Sequence, residues 1–123
     1  MPEQKLNILI VDDHEDTVMM FHARLTREGH EAIGLTDLAR VDDALSKHPV
    51  DVLLIDLLFS GRDATSDIRR IRLAFARLPI IVMSGTADLQ LTLRAIEAGA
   101  NSYLTKPVDW DILRGLLQNV RAT

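Results

Sequence analysis

Short apolar runs that end abruptly in carboxylate constrain this 123-residue chain more than any other feature. Asn7-Ile8-Leu9-Ile10-Val11 leads straight into Asp12 and Asp13, and Asp51-Val52-Leu53-Leu54-Ile55 leads into Asp56. A run without polar alternation is buried on both faces, as a strand inside a parallel sheet is. Glu31 to Leu35 reads as a shorter, weaker strand, Pro79 to Met83 as a fourth with proline at its tolerated first position, and Ser102-Tyr103-Leu104 as a brief fifth. Helical patterns lie between them. Residues 15–28 place Val18, Phe21 and Leu25 on one face and stop at Gly29; 37–47 end at His48-Pro49. A loop over 56–62 precedes a helix over 63–76; 87–98 carry Leu89, Leu93 and Ile96 on one stripe and stop at Gly99. A closing helix over 109–121 turns Ile112, Leu113, Leu116, Leu117 and Val120 inward. Five βα units in succession predict one α/β domain over 1–123, a five-stranded parallel sheet with helices on both faces and right-handed crossovers.

Composition narrows the function classes. Apolar residues make up 47% and charged residues 26%, and the formal net charge is -4, which gives nucleic acid no basic surface to bind. With no cysteine, disulfides and thiolate metal sites are excluded. The N-terminus runs directly into a strand without a signal-peptide pattern, and Asp56 interrupts the longest apolar stretch, so a cytoplasmic chain without membrane contact is expected.

In a parallel sheet all strand C-termini emerge on one edge, where an open α/β fold binds ligands. That edge would gather Asp12, Asp13 and Asp56 with Ser84-Gly85 from the fourth strand and Lys106-Pro107 from the fifth. Three converging carboxylates repel one another unless protons or a hard divalent cation neutralise them. The set suits phosphoryl transfer: a carboxylate as nucleophile, a cation and a lysine against the equatorial oxygens, and a hydroxyl for one of them.

These segments resemble the receiver domain of two-component response regulators from about Leu6 to Val120. The resemblance is carried by Ile8 to Asp13, Asp51 to Leu57, Ile81 to Gly85 and Gly99 to Val108. It implies a doubly wound sheet in the flavodoxin-like order. It also implies Asp56 as phosphoacceptor and Mg2+ (or Mn2+) held by Asp13, by Asp12 often through water, by Asp56 and by the Leu58 carbonyl. Ser84 and Lys106 would bind the phosphoryl oxygens. Phosphate would come from a histidine kinase, a phosphotransfer protein or a small phosphodonor. Movement of Ser84 would let Tyr103 turn, switching a surface of the fourth helix, fifth strand and fifth helix that meets a downstream effector or a second copy. Trp110 is there either an anchor for that partner or part of the packed helix edge. Leu58 and Thr86 occupy positions that tune phosphate lifetime, and an apolar Leu58 predicts a long-lived acyl phosphate. Ser60 and Ala64 stand where the family commonly has proline and glycine, which predicts a loop of different shape.

Two competing readings are an aspartate-based phosphatase of the haloacid dehalogenase type and a receiver-like module that binds partners without phosphate. The first wants two aspartates two positions apart, whereas Asp12 and Asp13 are adjacent; the complete acid, hydroxyl and lysine set opposes the second. A nucleotide binder lacks its glycine-rich loop. His14, His22, His30 and His48 show no ligand spacing and read as surface or half-buried residues, and Arg69, Arg70, Arg72 and Arg77 as a solvated helix face.

Overall fold

A computed structural model of the chain describes residues 5–85 and 89–120. Five strands, β1 (Asn7–Val11), β2 (Glu31–Leu35), β3 (Val52–Asp56), β4 (Ile80–Ser84) and β5 (Ser102–Thr105), form one parallel sheet in the order β2-β1-β3-β4-β5. Five helices alternate with them: α1 (Glu15–Arg27), α2 (Val41–Lys47), α3 (Thr65–Ala74), α4 (Leu89–Ala98) and α5 (Trp110–Asn119). This is the expected doubly wound architecture.

The unbroken apolar strands serve two cores, one on each face. Leu9, Val11, Leu53, Ile55, Ile80 and Val82 face α2, α3 and α4, while Ile8, Ile10, Leu54, Ile81 and Met83 pack with Phe21 and Leu25 of α1 and Leu113 and Leu117 of α5. Each such side chain contributes roughly 1.5–3 kcal/mol by leaving water. The register pairs Val11 with Ile55, Asp56 with Met83 and Ser84 with Thr105, so the chemistry-bearing strand ends lie level along one edge.

Several expectations need correction. The segment over 37–47 is not one helix: Asp37 accepts from the Ala39 N–H, a 3-10 turn covers Leu38–Arg40, and α2 begins only at Val41. Asp63 is not the first residue of α3. Leu58–Phe59 pairs antiparallel with Arg62–Asp63 in a small hairpin, Ala64 is the N-cap of α3, and Asp63 accepts from the N–H and hydroxyl of Thr65, the helix's first residue. The two turn residues, Ser60 (φ 52) and Gly61 (φ 77), both take the positive φ that a two-residue hairpin turn requires. A proline in place of Ser60 is incompatible with that angle.

Two helix faces also differ from their patterns. α4 buries Leu91, Thr92, Ala95 and Ala98, leaving the predicted stripe of Leu89, Leu93 and Ile96 exposed at 62%, 47% and 37%. Ile112 points outward rather than into the core. Periodicity found the stripe but not its direction, because a short helix with two apolar faces offers no contrast. Trp110 is half-buried, 5.4 Å from the Phe21 ring with the Arg24 guanidinium 4.5 Å above it, so it belongs to the α1–α5 packing. The arginine face is not simply solvated. Arg70 bridges Asp42 and Asp67, and Arg72 donates to the carbonyls of Gly99, Phe75 and Ala76 and to Asn101 Oδ1. Gly99, at φ 129, is the only residue type that fits both its backbone angle and the overlying Arg72 stem.

Candidate functional site

The strand ends bring the three acids together as expected. One oxygen each from Asp12, Asp13 and Asp56, with a ring nitrogen of His14, all lie within 4.8 Å of one another. Asp12 and Asp56 are buried, and Asp13 sits at the rim. Lys106, delivered by the turn after β5, reaches across with Nζ 2.7 Å from Asp12 Oδ2 and 3.3 Å from Asp56 Oδ2. The Lys106–Pro107 peptide is cis. Ser84 ends β4 with a buried side chain, and its carbonyl accepts from the Lys106 N–H at 2.7 Å.

Donors are distributed over nearly every carboxylate oxygen. Asp12 Oδ1 accepts from the His14 N–H at 2.9 Å, Asp56 Oδ1 from the Leu58 N–H at 3.3 Å, and Asp13 Oδ2 from the N–H and hydroxyl of Ser60 at 2.8 and 3.2 Å. Lys106 serves the two remaining oxygens of Asp12 and Asp56. That leaves Asp13 Oδ1, which is buried and accepts no hydrogen bond. An orphaned carboxylate oxygen beside two other acids is what a hard cation needs, so the residues fit a divalent ion.

The electrostatics follow from this packing. Burial pushes the Asp56 carboxyl above its ordinary value; Lys106 opposes the rise and Asp12 adds to it. Burial also works against the Lys106 charge, yet the hydrogen bond to Asp12 and the fields of both acids outweigh it and hold the ammonium above its usual range. For Asp13, burial would raise the carboxyl, but the two Ser60 hydrogen bonds and nearby His14 overcome it, so it lies below the usual carboxylate range. Burial thus raises the Asp56 carboxyl while the Ser60 hydrogen bonds bring that of Asp13 down.

Residues 8–118 match the family of the response regulator receiver domain. The chain belongs to that family. It is 32% identical over 115 residues to the DNA-binding transcriptional regulator NtrC of Proteus hauseri, covering 94% of this chain and 24% of that protein. It is 31% identical over 107 residues to the transcriptional regulatory protein KdpE of Mycobacterium tuberculosis, covering 85% of this chain and 46% of that one. The receiver domain thus spans between a quarter and a half of the curated relatives it matches. A response regulator structure from Chloroflexus aurantiacus superposes with a TM-score of 0.87 at 28% identity, covering 98% of this chain and all of that one. A two-component response regulator from Clostridium difficile shares the fold at the same TM-score and 22% identity, covering 94% of this chain and 95% of its own.

Two residues near the acids escaped the sequence reading. His14 reads in the sequence as a surface or half-buried histidine without ligand spacing; it is exposed, yet its Nδ1 lies 3.3 Å from both Asp12 Oδ1 and Asp13 Oδ1. Its place directly after Asp12-Asp13 was the available signal. Ser60 entered only as a departure in the loop, because its partner Asp13 lies 47 positions away. Tyr103 is 51% exposed on β5, and the register puts it and Ser84 on the same sheet face, beside the α4 side of the sheet. Thr86 lies outside the described residues. No helix among the described residues is long and apolar enough to cross a membrane.

Proposed function

We propose that Asp56 accepts a phosphoryl group from a histidine kinase or phosphotransfer protein and that this chain is a phosphorylation-controlled switch. The observation that carries the reading is the convergence of Asp56 with Asp12 and Asp13 under the Lys106 ammonium. Mg2+ is the proposed cofactor, with Asp12, Asp13, Asp56 and the Leu58 carbonyl as ligands; Mn2+ fits the same oxygen set. Such an ion supplies charge neutralisation for the phosphoryl oxygens.

An Asp56 oxygen bonds to phosphorus as the bond from phosphorus to the donor breaks, and the electron pair leaves with the donor. Burial raises the proton affinity of Asp56 and Asp12 adds to the rise; a cation held beside these acids would oppose it and keep the carboxylate ionised as a nucleophile. Lys106 has to let go of Asp56 to meet the incoming oxygens, and it keeps Asp12 as its second anchor. The buried Ser84 hydroxyl stands at the end of the next strand to hydrogen-bond another oxygen. Leu58, at the start of the hairpin, gives a hydrolytic water no side-chain partner, so the acyl phosphate persists for minutes or longer.

The face that responds is proposed to be the exposed side of α4 and β5. Leu89, Leu93 and Ile96 of α4 and Tyr103 of β5 are all exposed. Motion of Ser84 toward a phosphoryl group would change the space available to Tyr103 on the same sheet face. The chain then meets an effector or a second copy through that surface and has no direct role at nucleic acid or membrane, in keeping with a cytoplasmic setting.

The test is incubation with Mg2+ and acetyl phosphate followed by intact-mass measurement. A gain of one phosphoryl group, absent in Asp56→Asn, is expected. Retention of the gain in that variant would sink the reading, and multiple turnover of unrelated phosphate esters would favour the phosphatase.

A further inference from the structure

The acid pocket contains a nitrogen donor that an all-oxygen magnesium site does not use. His14 sits at the N-cap of α1, but its side chain does not cap the helix. Instead Nδ1 is hydrogen-bonded to Asp12 Oδ1 and lies equally close, 3.3 Å, to Asp13 Oδ1, which forms no hydrogen bond. Ligands around one transition ion, bound at about 2.1 Å and separated by tetrahedral to octahedral angles, stand about 3.0–3.4 Å apart. The two observed spacings fall in that window. Ser60 fixes the other Asp13 oxygen, which leaves the orphaned Oδ1 facing the ring.

We infer that His14 is a metal ligand in this chain and makes the site favour borderline transition ions over Mg2+. The inference rests on the proposed metal role of Asp12, Asp13 and Asp56. A compact set of imidazole nitrogen and carboxylate oxygens suits Mn2+, Co2+, Ni2+ and Zn2+, and affinity for such donors rises steeply from Mn2+ towards Cu2+. Mg2+ keeps to oxygen and sheds its water reluctantly, so it gains nothing from the ring. The ring would ligate through Nδ1 in the tautomer that carries its hydrogen on Nε2, and its side chain, 71% exposed, is open to an arriving ion. His22 lies further along α1, His48 stands at the C-terminal end of α2, and His30 Nδ1 already accepts from the Leu6 N–H at 3.1 Å. None of them is in the acid group.

The experiment is calorimetric titration of the unphosphorylated protein with MgCl2 and, separately, NiCl2, for wild type, His14→Ala, His14→Gln and Asp13→Asn. Loss of a real nitrogen ligand is expected to weaken the tight Ni2+ event by at least about tenfold in both His14 variants while Mg2+ affinity changes less than about threefold. Asp13→Asn should weaken both ions, tying the nitrogen to the acid pocket. Pulsed EPR of the Mn2+-loaded wild type should show an imidazole nitrogen that both His14 variants lack. Equal weakening of Ni2+ and Mg2+ in the His14 variants would mean the ring only positions the acids, and unchanged Ni2+ binding would mean it does nothing; either result overturns the proposal. Absence of Mg2+ binding to wild type, with His14-dependent Ni2+ binding intact, would sink the magnesium-dependent phosphoryl reading and leave the nitrogen ligand standing.

Discussion

Asp56→Asn should make the metal-free domain more stable, because the candidate nucleophile's charge is opposed more than it is supported. At an effective dielectric of about 20, carboxylate oxygens no more than 4.8 Å apart repel by at least about 3–4 kcal/mol per pair, and Asp56 faces two such neighbours. Lys106 at 3.3 Å returns about 5 kcal/mol on the same footing. The balance is a net penalty on the order of 2 kcal/mol before the cost of burial, and the upward push on the Asp56 carboxyl has the same sign. Asparagine keeps the shape and removes the charge. Thermal unfolding by circular dichroism in EDTA at neutral pH should therefore show a midpoint higher by roughly 3–8 °C, equivalent to about 1–2 kcal/mol for a domain of this size. The pH dependence fixes the cause. A carboxyl whose folded-state affinity for protons is raised carries its full penalty well above its folded value. It loses that penalty as pH falls through the value, so the gap between variant and wild type should shrink on acidification. Saturating Mg2+ should narrow it too, by stabilising the wild type more. A variant less stable than wild type in EDTA, or a gap that is flat with pH, would show that the Lys106 attraction governs this pocket and would refute the reasoning.

Three other perturbations separate the parts of the site. Lys106→Met strips the ammonium from two buried carboxylates and should cost about 3–5 kcal/mol in urea unfolding without metal, with much of the loss recovered by Mg2+. Ser60→Ala removes one of two hydrogen bonds to Asp13 and Ser60→Pro removes both; calorimetry should show Mg2+ weakened by roughly threefold and by tenfold or more, respectively. Asn101→Ala deprives the Ile80 N–H and Arg72 of their shared acceptor at the opposite edge of the sheet. It should lower stability by about 1–3 kcal/mol in denaturant titration and leave Mg2+ affinity unchanged.

The sheet and its acidic edge were legible because their causes are local. Continuous apolar runs dictate parallel strands, and once strand order is fixed, Asp12, Asp13, Asp56, Ser84 and Lys106 must share an edge. What was not legible depends on direction or on distant partners. Leu89, Leu93 and Ile96 repeat at helical spacing whether they face core or solvent, and only the packing of Leu91 and Ala95 against the sheet decides it. The hairpin at Leu58–Phe59 and Arg62–Asp63 is two residues per strand, too short for any alternation to register. Arg72 looks like one more surface charge among neighbours until Gly99 and Asn101 arrive from nearly thirty positions away.

The donors around the acids explain how such a pocket folds before any ion arrives. Lys106, the N–H groups of His14 and Leu58, and Ser60 together satisfy five of the six carboxylate oxygens. They come from three separate stretches of chain: the start of α1, the hairpin after β3 and the turn after β5. Each stretch is therefore held against the strand edge by the very groups that repel one another. A cation at Asp13 Oδ1 would meet the one oxygen without a donor, whereas a phosphoryl group on Asp56 would displace Lys106 or the Leu58 N–H from its oxygens. The hairpin touches both ends of this arrangement: Ser60 donates to Asp13 at the turn, and Asp63 at its last residue accepts from Arg94 of α4 at 2.8 Å. The hairpin would then offer a second route from the acid pocket to the exposed face of α4, beside the one proposed through Ser84 and Tyr103. Arg94→Ala should sever this route alone, so any phosphorylation-dependent binding at α4 that survives a Tyr103 change should weaken further when Arg94 is also replaced. If the double variant binds no worse than the Tyr103 change by itself, the hairpin transmits nothing.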